Sequence, residues 1–166
     1  MLVIIIGKAF YWIIKMIYLI SILAFVLDYL TKWWATTSLT YGIPTPVFPC
    51  FNLFLVGNPG ISFSFLRADS SLGVWLLVGL ALSICAFLIY LIQHEKDKFS
   101  RIALAMVLGG ALGNVWDRIN YGFVIDFLDF YWDKYHFPAF NLADSFICIG
   151  VALLLFRMMK KEKKNA

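Results

Sequence analysis

The stretch GNVWDRINYGFVIDFLD, Gly113 to Asp129, follows directly on an apolar run and carries three aspartates, an arginine and two asparagines. A charged side chain near the centre of a bilayer costs about 2.5–3.5 kcal/mol on insertion scales, so such groups persist where they pair or do chemistry. The rest of the chain shows that this segment does lie in a membrane protein.

The chain has 166 residues, 62% of them hydrophobic and only 14% charged. Ordinary soluble domains are about 45–50% apolar and about 25% charged. With a mean hydropathy of +0.83, the composition excludes a soluble domain and indicates a single membrane-embedded domain over 1–166. The net charge of +4 is distributed by topology. Lys8 and Lys15 lie at the start, Lys96, Lys98 and Arg101 mid-chain, and Arg157, Lys160, Lys161, Lys163 and Lys164 at the end. An even number of crossings returns the chain to one side at these places, so the positive-inside rule puts both termini and the middle loop in the cytoplasm. The basic tail therefore reads as a topogenic anchor, and no nucleic-acid partner is expected. Cys50, Cys85 and Cys148 form no disulfide framework or metal cluster. Cys85 and Cys148 fall within apolar runs and read as small core residues.

Four runs are long enough to span, since a crossing needs about 20 residues: 11–33, 72–93, 102–119 and 140–157. The first is not a cleaved leader in appearance, because no small-x-small site follows and Asp28 to Lys32 continue its helical pattern. The third carries Gly109 and Gly113 at small-xxx-small spacing with Gly110 between, which lets helices approach closely and marks the centre of the bundle. Residues 35–70 hold Pro44, Pro46, Pro49, FNLFLV and GNPG, then Ile61, Phe63 and Phe65 alternating with serines. This segment is expected to lie on the outer side, with a short strand pair at 61–65. Residues 120–139 are dense in Tyr, Trp and Phe and are expected to form an aromatic loop at the bilayer surface.

With the N-terminus inside, the first and third spans end outside, where the second and fourth begin. The polar residues gather there. Asp28 and Lys32 have the i,i+4 spacing of an ion pair. Asn114 and Arg118 share a helix face, with Asp117 beside the arginine. Asn141 and Asp144 fit an N-cap with an acid at the third helical position. Asn58 and Asp126 lie in the outer segments, and Asp126, between Ile125 and Phe127, is placed on the aromatic loop as the more mobile acid. Seven acids (Asp28, Asp69, Asp117, Asp126, Asp129, Asp133 and Asp144) fall outside, against Glu95, Asp97 and Glu162 inside. Asp129 and Asp133 read as solvated loop charges, and His94 and His136 as isolated.

Aspartates gathered without a histidine or reactive cysteine suit a carboxylate pair that shares one proton. The ionised member can take a proton from water while the protonated one donates to a carbonyl, which is amide hydrolysis of the aspartic-protease kind. Two other readings use the same residues. A metal-dependent enzyme acting on CDP-alcohols would need a fuller aspartate set than Gly122, Asp126 and Asp129 provide. A proton-coupled carrier would place acids midway across the membrane.

The motifs resemble those of lipoprotein signal peptidase, the type II signal peptidase family. D-x-x-T-K is met by Asp28, Thr31 and Lys32, and N-x-G-x-x-F-S by Asn58, Gly60, Phe63 and Ser64. G-N-x-x-D-R is met by Gly113, Asn114, Asp117 and Arg118, and V-x-D-F by Val124, Asp126 and Phe127. F-N-x-A-D-S is met by Phe140, Asn141, Ala143, Asp144 and Ser145. The resemblance implies an all-α polytopic membrane protein of four transmembrane helices, with a small extracytoplasmic β-cradle and an interfacial aromatic segment. It implies an aspartic endopeptidase of the bacterial inner membrane with Asp126 and Asp144 as the catalytic pair. Asn58, Gly60, Asn114, Arg118, Asn141 and Ala143 would bind substrate or support the pair, with Asp28, Lys32 and Asp117 as scaffold. The implied substrate is a diacylglyceryl-modified prolipoprotein, cut on the N-terminal side of its lipidated cysteine. Membrane lipid is the other implied partner; no metal or cofactor is implied, and a monomer is expected. Tyr29, Pro59 and Trp116 differ from the commoner residues at their positions, which bears on pocket shape.

Overall fold

A computed structural model describes residues 2–60 and 71–165, with side chains over 17–60 and 72–160. The elements run α1 (Leu2–Ser38), β1 (Thr45–Phe48), β2 (Phe51–Asn58), α2 (Ser71–His94), α3 (Lys98–Tyr121), β3 (Val124–Trp132), β4 (Tyr135–His136) and α4 (Leu142–Asn165). All four helices are long and apolar enough to cross a membrane. Leu23, Leu82 and Leu155 point away from the bundle, as expected of helices apolar on every side in a lipid solvent.

The most buried helix is α3, which packs against α1, α2 and α4. Its glycines explain how. A Cβ at Gly109 would stand 2.7 Å from Ala24 Cβ of α1, and one at Gly110 would overlap the Ala143 carbonyl oxygen of α4. A Cβ at Gly113 would overlap the Asp28 carboxylate. Ser21 Oγ, where α1 crosses, donates to Ala105 O at 2.9 Å. Asp97 caps the start of α3 by accepting from Ser100 N at 3.0 Å. At the other end Gly122 takes the left-handed conformation (φ +81°) and donates to Arg118 O, turning the chain into β3.

The strands form one antiparallel sheet in the order β1-β2-β3-β4. In the β2–β3 register Asn52 lies opposite Asp129, Val56 opposite Asp126 and Asn58 opposite Val124. Phe127 and Leu128 both donate to Phe140 O, which fastens the sheet to the chain entering α4. Ala35, Leu55, Ile125 and Phe127 form a small core between sheet and α1.

Three expectations are corrected. The aromatic segment is not a surface loop: Val124–Trp132 is a strand, and half of the sheet comes from it. Its residues are apolar on both faces, which hides a period of two. Asp126 consequently sits in a hydrogen-bonded strand and is 1% exposed, not on a loop. Cys85 is buried as expected, but Cys148 faces outward from α4. The helices also extend beyond the expected spans, most of all α1, except that α4 begins at Leu142 and not at 140. The strand pair expected at 61–65, with Phe63 and Ser64, and Asp69 lie outside the described residues.

Overpacking a tight contact costs about 1–3 kcal/mol. Gly110→Ala and Gly113→Ala should therefore lower the thermal midpoint in detergent, whereas Gly79→Ala, where a Cβ meets nothing within 4 Å, should not. Equal midpoints for all three variants would contradict the close crossing.

Candidate active site

The site starts from a buried cation. Lys32 Nζ lies 2.8 Å from the carboxylates of both Asp28 and Asp117, and its side chain is 3% exposed. A buried charge is stable only when paired and hydrogen-bonded. Both acids are further satisfied by backbone: Asp28 accepts from Ala143 N at 2.8 Å, and Asp117 from Ile125 N at 3.1 Å. The third ammonium donor reaches Asn114 Oδ1 at 3.0 Å. Thr31, the other polar residue of that motif, only bonds back to Leu27 O and Asp28 O in its own helix.

That lysine orients the next residue. An ammonium only donates, so the Asn114 oxygen faces Lys32 and its NH2 faces away. Asn114 Nδ2 donates to Asp144 Oδ1 at 2.7 Å. Asn141, wholly buried before α4, makes a reciprocal cap with Asp144: Asp144 N donates to Asn141 Oδ1 at 2.9 Å, and Asn141 N to Asp144 Oδ2 at 3.3 Å. The Asn141 NH2 donates to Asp126 Oδ1 at 2.7 Å and also approaches Asn114 Oδ1 and Ile125 O. From β2, Asn58 Nδ2 donates to Asp126 Oδ2 at 3.0 Å, while Asn58 Oδ1 accepts from Gly60 N. Gly60 has φ +106°, a conformation that favours glycine, and a Cβ there would crowd Leu77 and reach within 3.9 Å of the Arg118 guanidinium. Arg118 Nη1 donates to Asn114 O at 3.3 Å, and its charge faces Asp144, Asp117 and Asp126. Its buried Nε has no partner among the described residues.

Two carboxylates are thus bridged by one residue, Asn141, whose NH2 donates to Asp126 and whose backbone N–H donates to Asp144, at the meeting of α3, α4 and the sheet. Burial pushes the Asp126 carboxyl up to about 6, against the hydrogen bond from Asn58, and the nearby Asp144 charge pushes the same way.

The structure brings together Asp28, Lys32, Asn58, Gly60, Asn114, Asp117, Arg118, Asp126, Asn141, Ala143 and Asp144. Ala143, wholly buried, sits where α4 crosses Gly110 and supplies the backbone N–H for Asp28. Two readings fail here. Asp129 is not a solvated charge: it is 2% exposed and accepts from Asn52 Nδ2 at 2.9 Å. His136 is not isolated, because its Nδ1 lies 2.9 Å from Asp129 Oδ1. The one signal for this group was an asparagine inside the apolar run FNLFLV, and its partner lies 77 residues away across the sheet. Asp133 is exposed, as expected.

The family model for signal peptidase (SPase) II matches residues 20–160. The chain belongs to the signal peptidase II family. It is an aspartic endopeptidase, and a multi-pass membrane protein. A lipoprotein signal peptidase of Polynucleobacter necessarius subsp. necessarius is 45% identical over 144 residues, covering 86% of this chain and 88% of that one. Another, of Aeromonas hydrophila subsp. hydrophila, is 45% identical over 149 residues, covering 88% and 89%. A bacterial membrane enzyme solved by the in meso method at 2.3 Å superposes with a TM-score of 0.79 at 28% identity, over 92% of each chain. A second, solved at 1.9 Å, gives 0.78 at 29% identity, over 88% of this chain and 94% of that one.

The buried Asp126 predicts how stability in this signal peptidase II family member depends on pH. An acid whose folded value is raised binds its proton more tightly when folded, so stability falls as pH climbs from the ordinary 3.8 and levels off above about 6. Asp126→Asn removes that fall. Between about pH 4 and about pH 8, unfolding free energies should move in the variant's favour by about 2–3 kcal/mol. Parallel curves for the two proteins would contradict the burial of this carboxylate.

Proposed function

We propose that the chain removes the signal peptide from diacylglyceryl-modified prolipoproteins, cutting on the N-terminal side of the lipidated cysteine with Asp126 and Asp144 as the catalytic pair. The observation that carries this reading is the shared asparagine. Asn141 donates its NH2 to Asp126 Oδ1 at 2.7 Å and its backbone N–H to Asp144 Oδ2 at 3.3 Å, while Asn114 donates to Asp144 Oδ1. Carboxylates held together in this way keep one proton between them. Water between them loses a proton to the ionised member and attacks the scissile carbonyl, whose oxygen takes the proton of the other. The intermediate then collapses, and the departing cysteine amine takes a proton from the pair. Arg118, whose charge acts on both acids, would hold a substrate carbonyl. Asn58, Asn114 and Asn141 keep the acids aimed, the positional contribution to catalysis.

The setting suits a lipid-anchored substrate. The apolar signal segment enters sideways between helices and the lipid chains stay in the bilayer, so the peptide bond rests where α3, α4 and the sheet meet. The basic residues Lys96, Lys98, Arg101, Arg157 and Lys160 lie at the opposite end of α3 and α4 from the acids. By the positive-inside rule this supports termini in the cytoplasm and a site at the outer face of the bacterial cytoplasmic membrane.

The test is cleavage of a diacylglyceryl-cysteine lipobox peptide by purified protein with EDTA present. Cleavage before the lipidated cysteine should survive the chelator and fall by at least about 10²–10⁴-fold in both Asp126→Asn and Asp144→Asn. Loss with EDTA that returns on adding a divalent cation would overturn the mechanism. Activity retained in either variant would overturn the pair.

A further inference from the structure

The two acids are held differently. Asp144 lies in the first turn of α4, where unpaired backbone N–H groups favour negative charge, and it is only partly buried. The Arg118 guanidinium acts on Asp144 as well as on Asp117 and Asp126. Asp126 is 1% exposed in the middle of a strand, with no helix end behind it. Its donors, Asn58 and Asn141, are amides whose own oxygens accept from backbone N–H groups of Gly60 and Asp144. Asn114, the donor to Asp144, instead has its oxygen on the Lys32 ammonium at 3.0 Å. A charged donor at the oxygen of an amide polarises it and strengthens its N–H. Lys32 also acts on Asp126 through space, but this is the weakest of the influences there.

We propose that Lys32 is a positioning residue which, through Asn114, holds Asp144 as the ionised member of the pair and leaves the shared proton on Asp126. This rests on the aspartic mechanism above and assigns its halves. Asp144 takes a proton from water as the water oxygen bonds to the carbonyl carbon, and Asp126 gives its proton to the carbonyl oxygen. When the C–N bond breaks, Asp144 passes its proton to the leaving amine and Asp126 recovers one from a hydroxyl of the intermediate. Both acids return to their starting states. The charged groups around the wire are Asp28 from α1 and Asp117 from α3 on Lys32, and Arg118 from α3 and Asp126 from β3 on Asp144.

The test reads the carboxyls directly, by carbon-13 spectra of aspartate-labelled protein in detergent at about pH 5, below the value for Asp126. Asp126→Asn and Asp144→Asn assign the two resonances. The acid-type resonance should belong to Asp126 and the carboxylate-type to Asp144. The key variant is Asp28→Asn with Lys32→Met, which removes the wire yet leaves the cluster's formal charge at minus one, as in the native protein. In it the Asp144 resonance should move toward the acid position, and kcat for the lipobox peptide should fall roughly tenfold or more with KM little changed. Asn114→Ser, which cuts the wire while keeping all three ions of the cluster, should move the resonance the same way and covers the case in which the double variant does not fold. An acid-type resonance on Asp144 in the native protein would overturn the proposal. So would folded variants in which neither resonance moves. Native protein that shows the expected resonances but cuts no lipobox peptide would instead overturn the peptidase mechanism, so the two failures are separable.

Discussion

A lysine ammonium buried between two carboxylates is the constraint on which the rest of this molecule depends. The effective penalty for burying an ion is several kcal/mol, so Lys32, Asp28 and Asp117 are tolerable only as a set. Completing the set fixes more than one helix pair. Asp28 and Lys32 belong to α1 and Asp117 to α3, while the remaining carboxylate oxygens take backbone N–H groups from α4 at Ala143 and from β3 at Ile125. Three helices and the sheet are therefore registered by one ionic cluster. The glycines of α3 make this possible, because any side chain at Gly113 would displace the Asp28 carboxylate.

The two acids proposed as the catalytic pair are reached from that cluster through amides alone. Lys32 orients Asn114, Asn114 reaches Asp144, and Asn141 spans from Asp144 to Asp126. Amides suit this role because each offers donors and an acceptor at fixed geometry, without adding a charge that would compete with the acids. The arrangement works against stability at one point. Asp126 is almost wholly buried, and burial disfavours its charged form. Functional sites often keep such a destabilising group, because the same desolvation holds a carboxyl protonated for proton transfer.

Much of this was legible in the sequence because lipid makes polar residues conspicuous. The four spans, the central α3 and the grouping of Asp28, Lys32, Asn114, Asp117, Asn141 and Asp144 could be read from apolar length, glycine spacing and helical offsets. What could not be read depended on pairing across distance. Val124–Trp132 is apolar on both faces, so nothing in it separates a strand from an interfacial loop, and the sequence pattern around Asp126 points to the wrong kind of element. Asp129 looks solvated in sequence because its partners, Asn52 and His136, reach it only through the sheet. Cys148 looks internal because a membrane helix is apolar on its lipid face as well as its packed face. The link from Lys32 to Asn114 joins residues 82 apart and has no signature in either segment.

The central claim is that peptide-bond chemistry takes place between Asp126 and Asp144. It is tested most directly by the structure of the protein bound to a lipobox peptide whose scissile bond is replaced by a secondary alcohol, mimicking the tetrahedral intermediate. The account predicts that the hydroxyl lies about 2.6–3.2 Å from an oxygen of each aspartate, with Asn141 still bonded to both residues. A hydroxyl within reach of only one acid, or an inhibitor seated away from the pair, would contradict it.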